Sequence, residues 1–385
     1  MRCGANYGFE FRKKLPNEIE TVIDFHFVRV TIESNMSNDL HINRVTIADV
    51  AKAAGVSLST VDRVLNGRAP VRRDTAERIH AVAESIGFHA AGVIRERVRG
   101  KRMRHRLGFL LEQPDVAFYR ELAEALVRAN DAQGEFCEAP TIEYMDDISP
   151  EAVSLRLRAL AQRVDAVALV AADHPLIGAE IERLKAKGVP VFALISDLST
   201  AARAGYAGLD NRSVGRTAAW FITQMAHEPG KLAIFVGSHR FQCQELCEMS
   251  FRSYMREHAP SFELMEPLVT LESNQLAEEG TRDLLHRHPD IVGIFVAGGG
   301  VDGVLRALRE HRKNNSGPRP IGVARELTER VREGLLTGDL HAALSHPLPQ
   351  LAQALVAMMV NVLETPTLGL QQTIVPLDTQ TPESA

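Results

Sequence analysis

The run from residue 45 to residue 66 joins two short amphipathic helix patterns through a glycine. In the first pattern, apolar residues recur at the spacing of a buried helical stripe, and Thr46 is placed to cap the helix. Gly55 supplies the positive φ that a tight turn requires. Ser57 is placed to cap a second helix whose apolar side packs on the first. The run therefore predicts a helix-turn-helix, although two such helices can also form a hairpin inside a larger helical domain.

The second helix of this predicted motif has a polar outward face. In a helix-turn-helix that helix enters the major groove, where outward side chains read base edges. The residues that we assign to DNA contact are the helix caps and the outward positions: Thr46, Ser57, Leu58, Ser59, Thr60, Asp62, Arg63 and Asn66. A third helix, which we expect Asp74 to cap and Gly87 to close, completes a small all-α core.

Charge is distributed unevenly along the chain. Residues 36–106 hold 14 Lys and Arg against 7 Asp and Glu, whereas residues 107–385 hold 25 against 37. This asymmetry is expected when only the front of a protein contacts phosphate. A basic stretch such as Arg95 to Arg106 is often only a solvated linker, but its place directly after the helix-turn-helix favours a DNA contact.

Short apolar runs alternate with helical patterns through the rest of the chain. The runs are continuous, which is typical of strands buried on both faces of a parallel sheet. They lie at 107–111, 164–172, 189–195, 206–209, 232–237, 291–297 and 320–324. The helical patterns lie at 119–132, 150–162, 177–187, 212–225, 241–258, 275–286 and 303–311. This alternation predicts α/β units, enough for two doubly wound parallel-sheet lobes.

Length and composition restrict the class of protein. With 385 residues and 45% apolar composition, the chain should hold at least two domains. Four cysteines give no disulfide framework, and no apolar stretch approaches the length of a transmembrane helix, so we expect a cytoplasmic protein without a membrane contact. Residues 1–43 carry no clear export signal. We expect them to be a disordered extension, or to result from a start assigned upstream of Met36.

The helix-turn-helix resembles the amino-terminal signature of the LacI and GalR family of bacterial repressors. The matching segments are 46–51, 55–57, 59–61, 63–66 and 86–88. The resemblance implies a headpiece, a hinge and two lobes of the type I periplasmic-binding-protein kind. The predicted boundaries are 44–88 for the headpiece, 89–105 for the hinge, 106–378 for the bilobed effector-binding and dimerisation domain, and 379–385 for a tail.

The resemblance also implies a function and its partners. It indicates a repressor, not an enzyme, that binds double-stranded operator DNA as a homodimer. Its operator affinity would be controlled by a small-molecule effector, a sugar or polyol, bound between the lobes. No cofactor is expected. Two alternatives are a solute-binding transport protein, which the DNA-reading segment and the missing export signal disfavour, and an enzyme on a doubly wound fold, for which no catalytic constellation is evident.

Two departures from the family pattern concern DNA. Asp62 stands where the family usually has Ser, and its carboxylate can accept from a cytosine or orient Arg63. The hinge lacks the family's Pro-Asn pair and its minor-groove Leu; the corresponding place falls on Arg97 or Val98. We assign Arg95, Arg97 and Val98 to DNA contact. An apolar side chain there kinks DNA, whereas an Arg reads a narrow minor groove through charge.

Effector-binding residues are expected where strands end, because ligands of open α/β sheets bind beyond the carboxyl ends of the strands. Carboxylates there accept from polyol hydroxyls, and sugar-binding relatives place aromatic rings there for stacking. The predicted effector site comprises Phe118, Tyr119, Ser196, Asp197, Asp210, Asn211, Glu326, Ser345 and His346. Asp210 is the strongest candidate, although each of these residues can instead be a helix cap or a solvated loop residue.

Two further patterns look chemical. Gly298 to Gly300 lacks the Lys-Ser or Lys-Thr of a phosphate-binding P-loop, so we expect a turn in the cleft. His239, Cys243 and Cys247 recur every four residues and can share a helix face as metal ligands. No fourth ligand is evident, and buried helical cysteines account for the same spacing, so no metal is expected.

We predict that the basic hinge makes DNA binding steeply salt-dependent. Replacing Arg95, Arg97 and Arg99 together by Ala should flatten the plot of log affinity against log salt by about 0.9 for each phosphate that the hinge no longer neutralises, with little change in base preference. Val98→Ala separates the two hinge hypotheses. A kinking side chain predicts reduced DNA bending in a phasing gel shift, and a purely electrostatic hinge predicts unchanged bending. An unchanged salt slope in the triple variant contradicts the charge-based hinge.

Overall fold

The computed structural model describes residues 45–67, 71–94, 104–314 and 319–385. They belong to two units, a helical headpiece that ends at residue 94 and an α/β body that begins at residue 104. The predicted extension 1–43 and the hinge residues Arg95, Arg97 and Val98 lie outside the described residues.

The headpiece contains the predicted helix-turn-helix. Its helices are α1 (Ile47–Ala54), α2 (Leu58–Asn66) and α3 (Arg73–Ser85). Thr46 caps α1 through a reciprocal capping box with Asp49, and Ser57 caps α2 by accepting from the amide of Thr60. Gly55 has a φ of 67°, the left-handed conformation that the turn requires.

Two details of the headpiece differ from the prediction. Asp74 does not cap α3, because the helix begins one residue earlier and Asp74 lies in its first turn, where a carboxylate still favours the helix dipole. The core also extends past residue 88. Ile94 is fully buried with Val50, Val61 and Ile79, so residues 89–94 pack on the headpiece and do not start the hinge.

A parallel sheet of six strands forms the first lobe of the body. The strands are β1 (Leu107–Glu112), β2 (Thr141–Met145), β3 (Ala166–Leu169), β4 (Val191–Leu194), β5 (Gly205–Gly208) and β12 (Gln371–Ile374). Their order is β12-β5-β4-β3-β1-β2. The covering helices are α4 (Ala117–Asp131), α5 (Pro150–Leu160), α6 (Pro175–Ala186) and α12 (Leu348–Glu364). Strands β1, β3, β4 and β5 are buried along their whole length, as the continuous apolar runs predicted.

The second lobe repeats this design with a mixed sheet. The strands are β6 (Lys231–Val236), β7 (Glu263–Leu264), β8 (Leu268–Val269), β9 (Ile291–Val296), β10 (Ile321–Arg325), β11 (Ala342–Ser345) and β13 (Asp378–Gln380). Their order is β13-β11-β10-β9-β6-β7, with β8 also paired to β6, and β13 is antiparallel to β11. The helices are α7 (Asn211–Met225), α8 (Gln242–His258), α9 (Asn274–Arg287), α10 (Val301–Asn314) and α11 (Glu329–Leu336).

The chain crosses between the lobes three times: between β5 and α7, between β11 and α12, and between β12 and β13. Thr379 and Gln380, predicted to start a tail, belong to β13. Within the described ranges, no helix combines the length and the apolar character needed to cross a membrane.

The predicted elements of the body are present with boundaries shifted by a few residues. The prediction missed strands β2, β11, β12 and β13, the short pair β7 and β8, and helices α11 and α12. Strands β2 and β12 are only partly buried, so their sequences lack a continuous apolar run. Helix α12 is apolar on most of its surface, which hides the amphipathic period.

A close helix contact generates a stability prediction. A Cβ added at Gly215 of α7 would collide with the backbone carbonyl of Cys247 on α8, so Gly215→Ala should lower the free energy of unfolding by about 1–3 kcal/mol. The matched control is Gly280→Ala in α9, where the new Cβ would lie 3.6 Å from Leu268. It should stabilise by about 0.5–1 kcal/mol, because Gly is unfavourable in a helix interior. Urea unfolding measures both. A Gly215→Ala variant as stable as the control contradicts the close packing.

Candidate functional site

The outward face of α2 is polar and accessible. Val61 and Val64 face the headpiece core and are buried. On the other side Leu58 is 56% exposed, and Ser59, Arg63 and Asn66 are exposed as well. A helix with one buried stripe and a free polar face can insert into a groove without disturbing its own core.

Local hydrogen bonds hold several of the predicted DNA-contact residues. Asn66 Nδ2 donates to Asp62 Oδ1 over 2.6 Å, so the structure pairs Asp62 with Asn66 one turn along α2, which neither predicted role for Asp62 included. The hydroxyl oxygens of Ser57 and Thr60 lie 2.7 Å apart, and Ser59 Oγ lies 3.0 Å from Ser57 Oγ. Ser57 and Thr60 therefore secure the start of α2. The Thr46 hydroxyl is likewise bonded within α1.

A cleft of about 400 Å³ lies between the two lobes of the body, at the carboxyl ends of their strands. Of the predicted effector residues, four line it: Phe118, Tyr119, Ser196 and Glu326. Gly298 to Gly300 also line it, as the turn after β9. The volume suits a small organic molecule enclosed between two sheets.

The two predicted aspartates lie outside the cleft lining. Asp210 caps α7, since its carboxylate accepts from the amide of Arg212 over 3.1 Å and from the hydroxyl of Ser213 over 2.6 Å. Asp197 forms an ion pair with Arg203 at 2.7 Å. The carboxylates of both residues are thus used within the fold, and the choice of Asp210 as the strongest effector residue is not supported by its position.

The other three predicted residues are buried behind the cleft. Asn211 donates to the hydroxyl of Tyr206 over 3.4 Å, and Ser345 ends β11. His346 Nδ1 lies 2.8 Å from Glu326 Oε1, and its backbone amide donates to Glu326 Oε2 over 3.2 Å. Burial lowers the pKa of His346, so a neutral ring donates to an ionised Glu326. His346 therefore orients a cleft residue from behind.

Backbone strain is concentrated around the cleft. Among the described residues, five non-glycine residues have a positive φ: Gln113 (21°), Ile195 (66°), Leu271 (51°), Glu272 (60°) and Glu326 (67°). All of them except Leu271, the neighbour of Glu272, line the cleft. Such conformations cost about 1–3 kcal/mol each and persist where the surrounding structure imposes them, often at ligand sites. Here they follow strand ends and redirect the chain at the rim of the cleft.

Two further carboxyl groups lie at the cleft: Glu272 lines it, and Glu112 is buried behind Tyr119, whose ring lines it. Glu112, at the end of β1, is 1% exposed. Its Oε2 accepts from the Tyr119 hydroxyl over 3.1 Å, and its Oε1 has no hydrogen-bond partner among the described residues. Burial, and then the charge of Glu272, raises the pKa of Glu112 to about 8. At neutral pH this carboxyl therefore keeps its proton.

Glu272 lines the cleft from the second lobe. Gln244 Nε2 donates to Glu272 Oε1 over 2.7 Å, while Gln244 Oε1 accepts from the amide of Gly237 over 2.6 Å. Burial raises the pKa of Glu272, and the bonds from Gln244 and the Gly299 amide oppose that shift. The sequence offered no signal for this residue, because β8 is only two residues long and the following turn resembles a surface loop.

Arg325 ends β10 and lines the cleft at 5% exposure. Its Nε donates to Glu326 Oε1 over 3.1 Å, and its Nη1 lies 3.7 Å from the sulfur of Cys247. Its Nη2 is buried and has no hydrogen-bond partner among the described residues. The guanidinium can therefore donate one further hydrogen bond to a molecule in the cleft.

The helical repeat of His239, Cys243 and Cys247 does not assemble a site. Cys243 and Cys247 are both buried, and burial raises the pKa of each thiol, which opposes the thiolate form that metals bind. His239 Nε2 instead lies 2.8 Å from Glu248 Oε2. The described parts of the chain contain no group of three or more side chains that could hold a metal ion.

Comparison with known proteins matches both units. The profile of the periplasmic binding protein domain family matches residues 107–366, and that of the lacI family of bacterial regulatory proteins matches residues 46–90. The sucrose operon repressor of Pediococcus pentosaceus is 24% identical, covering 82% of this chain and 91% of its own length. The maltose regulon regulatory protein MalI of Escherichia coli is 38% identical over 94 residues, 24% of this chain and 26% of its own length.

A solved structure shares the fold of the body. The solute-binding protein of an ABC transporter from Burkholderia graminis, in complex with D-arabinose, superposes with a TM-score of 0.66 at 17% identity. The match covers 74% of this chain and 97% of that protein.

The raised pKa of Glu112 generates a prediction of pH-dependent stability. The folded protein keeps this proton up to about pH 8, whereas an unfolded glutamate loses it near pH 4.3, a value of about that size in model peptides. Between these values the native state binds more protons, so this group makes the free energy of unfolding fall as pH rises, by up to about 1.4 kcal/mol per pH unit. Glu112→Gln should flatten the decline in urea unfolding between pH 5 and pH 8. Glu151→Gln, on the exposed surface of α5, is the control and should keep the pH profile of the wild type. Identical profiles for the wild type and both variants would contradict a buried neutral carboxyl at Glu112.

Proposed function

We propose that this DNA-binding transcriptional regulator is a repressor controlled by a small polyhydroxylated effector bound between its lobes. Its body belongs to the periplasmic binding protein domain family, and its headpiece is the DNA-binding domain of the lacI family of bacterial regulatory proteins. The observation that carries the proposal is the coexistence of an exposed polar face on α2 with a strained, polar-lined cleft in the same chain. One surface suits a DNA groove, and the other suits a small molecule.

We propose that α2 reads operator DNA from the major groove. Arg63 is exposed on its outward face, and a guanidinium matches the two acceptors that guanine presents in that groove. Asp62 and Asn66, bonded to each other, present a donor and acceptor pair beside it. Two headpieces about 34–36 Å apart would reach successive major grooves, which a homodimer provides.

The chemistry of the cleft supports a sugar or polyol as effector. Phe118, Tyr119 and Phe241 offer ring faces, and the groups around them include both donors and acceptors. A sucrose operon repressor and an arabinose-bound solute-binding protein are similar to this chain, and they support the same class of ligand.

Regulation would work through the angle between the lobes. Three crossovers join the lobes, so they can close on a ligand as a hinge closes. A ligand shifts this equilibrium only if it binds one arrangement more tightly, which contacts from both lobes provide. In a dimer, closure would change the spacing of the two headpieces and with it the affinity for DNA.

A solute-binding transport protein has the same body fold. The lacI-type helix-turn-helix has no role in transport and favours the regulator. A regulator of transcription works where the chromosome lies, so we propose the cytoplasm. No catalytic role is proposed.

The DNA assignment predicts a specific defect in operator recognition. Arg63→Ala should weaken operator binding by about 1–3 kcal/mol, because Ala cannot make the bidentate contact with guanine, and should relax preference at one base pair. Gel shifts against an operator and its single-base variants measure both effects. Ser85→Ala, at the end of α3 away from the α2 face, is the control that should bind like the wild type. If Arg63→Ala keeps the full base preference, Arg63 does not read a base.

The effector assignment predicts a contrast between two acidic residues. A thermal-shift panel of pentoses, hexoses, disaccharides and alditols first identifies a ligand that raises Tm and releases operator DNA. Glu272→Ala should weaken that ligand at least tenfold, about 1.4 kcal/mol, because it removes a cleft contact. Asp210→Asn keeps the α7 cap and should leave the affinity unchanged. If Glu272→Ala and Asp210→Asn lose affinity for the ligand equally, the cleft is not the effector site. If no compound of the panel binds, the proposed class of effector is wrong.

A further inference from the structure

Hydrogen bonds join the two lobes at residues that lie outside the cleft lining. The backbone amide of Asp173, between β3 and α6 of the first lobe, donates to the carbonyl oxygen of Arg240 in the second lobe over 2.7 Å. Gln242 Nε2, at the start of α8, donates to Asp173 Oδ2 over 3.1 Å. These three residues line a separate, smaller cavity of about 300 Å³. We call the contacts of Asp173 with Arg240 and Gln242 the latch.

The strand order places the latch away from the crossovers. In the first lobe the crossovers use β5 and β12, at one edge of the sheet, and β3 is the second strand inward from β5. In the second lobe they use β11 and β13, and β6, which precedes the latch, is three strands from β11. Adjacent strands lie about 4.8 Å apart, so the latch lies roughly 10–14 Å from the strands that carry the crossovers. A contact at this distance opposes a change in the angle between the lobes.

Both halves of the latch are held within their own lobes. Asp173 Oδ1 accepts from the amide of Ser199 over 3.2 Å, within the first lobe. In the second lobe, Gln244 Oε1 accepts from the amides of Gly237 and Ser238, over 2.6 Å and 3.1 Å, in the turn that leads to the latch. Because each half is fixed by its own lobe, the two halves separate when the lobes separate.

Gln244 connects the latch with the cleft. Its Nε2 donates to Glu272 Oε1 over 2.7 Å, and Glu272 lines the cleft. Phe241, between the two latch residues of the second lobe, lines the cleft as well. So do Ser196 and Cys243, and the amide of Cys243 donates to Ser196 Oγ across the lobes over 3.4 Å. A molecule in the cleft that contacts Glu272 or Phe241 is therefore linked to the latch through bonded or adjacent residues.

Building on the proposed function, we propose that Asp173 and Gln242 are positioning residues that hold the lobes in the arrangement of this structure. The latch consists of contacts of the chain with itself, so it stabilises this arrangement independently of an effector, and opening of the lobes requires its loss. The latch thereby sets the fraction of molecules whose lobes are joined, and this fraction scales the apparent affinity of an effector that binds the joined arrangement.

Hydrogen exchange of the full chain, followed by mass spectrometry, tests the latch by exchanging its two polar groups. Gln242→Glu places a carboxylate against Asp173 and replaces the hydrogen bond by repulsion. Asp173→Asn, added to Gln242→Glu, restores one donor and one acceptor in exchanged positions. The peptides to follow contain residues 238–243 of the second lobe and residues 115–120, which line the cleft on the first lobe. We expect both to exchange about tenfold faster in the single variant and to return to about the wild-type rate in the double variant, because a hydrogen bond to a charged group is lost and then replaced.

Gln275→Glu is the matched control. Gln275 Nε2 donates to Glu279 Oε1 over 2.9 Å, so this variant also turns an amide–carboxylate bond into two facing carboxylates, but within one helix of one lobe. Its exchange should match the wild type in both segments. Faster exchange confined to residues 238–243 shows a local disturbance and overturns the latch. A double variant that exchanges as fast as Gln242→Glu overturns it as well, because the two side chains then do not act as a pair.

DNA binding separates this inference from the proposed function. The probe in gel shifts is a duplex selected from random DNA by the wild-type chain. Regulation through the lobe angle predicts that Gln242→Glu changes the affinity for this duplex by about fivefold or more, and that the double variant restores it. If exchange follows the latch variants while DNA affinity stays constant, the latch is supported and regulation through the lobe angle is contradicted. If neither exchange nor DNA affinity changes in Gln242→Glu, the latch is wrong, and DNA binding by the wild type still supports the regulator.

Discussion

The structure of the body depends on strands that are buried on both faces. Helices cover both faces of β1, β3, β4 and β5, so side chains along these strands are buried. Polar side chains are therefore accommodated only at the ends of the strands. In a parallel sheet all carboxyl ends lie along one edge. The polar residues Glu112, Ser196 and Arg325 stand at such ends. Two such edges facing each other create a cleft that is polar although both lobes have apolar cores.

This constraint explains which parts of the site could be predicted. Apolar runs predicted the central strands, and strand ends then indicated Phe118, Tyr119, Ser196 and Glu326, which line the cleft. The same reasoning also selected Asp210 as an effector residue, but a carboxylate at this place has a second use within the fold. A carboxylate between a strand and a helix serves equally well as an N-cap, and the hydrogen bonds of Asp210 show that use. Sequence alone does not separate the two roles.

Glu272 was missed for a different reason. It follows a strand of two residues, and its orientation depends on a left-handed backbone conformation that the sequence does not indicate. Glu112 is the polar end of β1, a position that the sequence does indicate, but its hydrogen bond with Tyr119 and the effect of the charge of Glu272 on its pKa depend on the fold. Caps and turns of the headpiece were predictable because their partners lie within a few residues of each other, as Thr46 and Asp49 do.

The strain around the cleft connects its structure with regulation. Residues such as Ile195, Glu272 and Glu326 adopt unfavourable conformations that the strands and their hydrogen bonds impose. Under the lobe closure that we propose, a change in the angle between the lobes would alter this strain, and a ligand that contacts these turns would shift the equilibrium between the open and closed states.

Charge is divided between the two parts of the chain. The front of the chain carries a basic excess and the body an acidic excess. Phosphates of DNA are therefore attracted by one part of the protein and repelled by the other, which disfavours non-specific contact of the body with DNA.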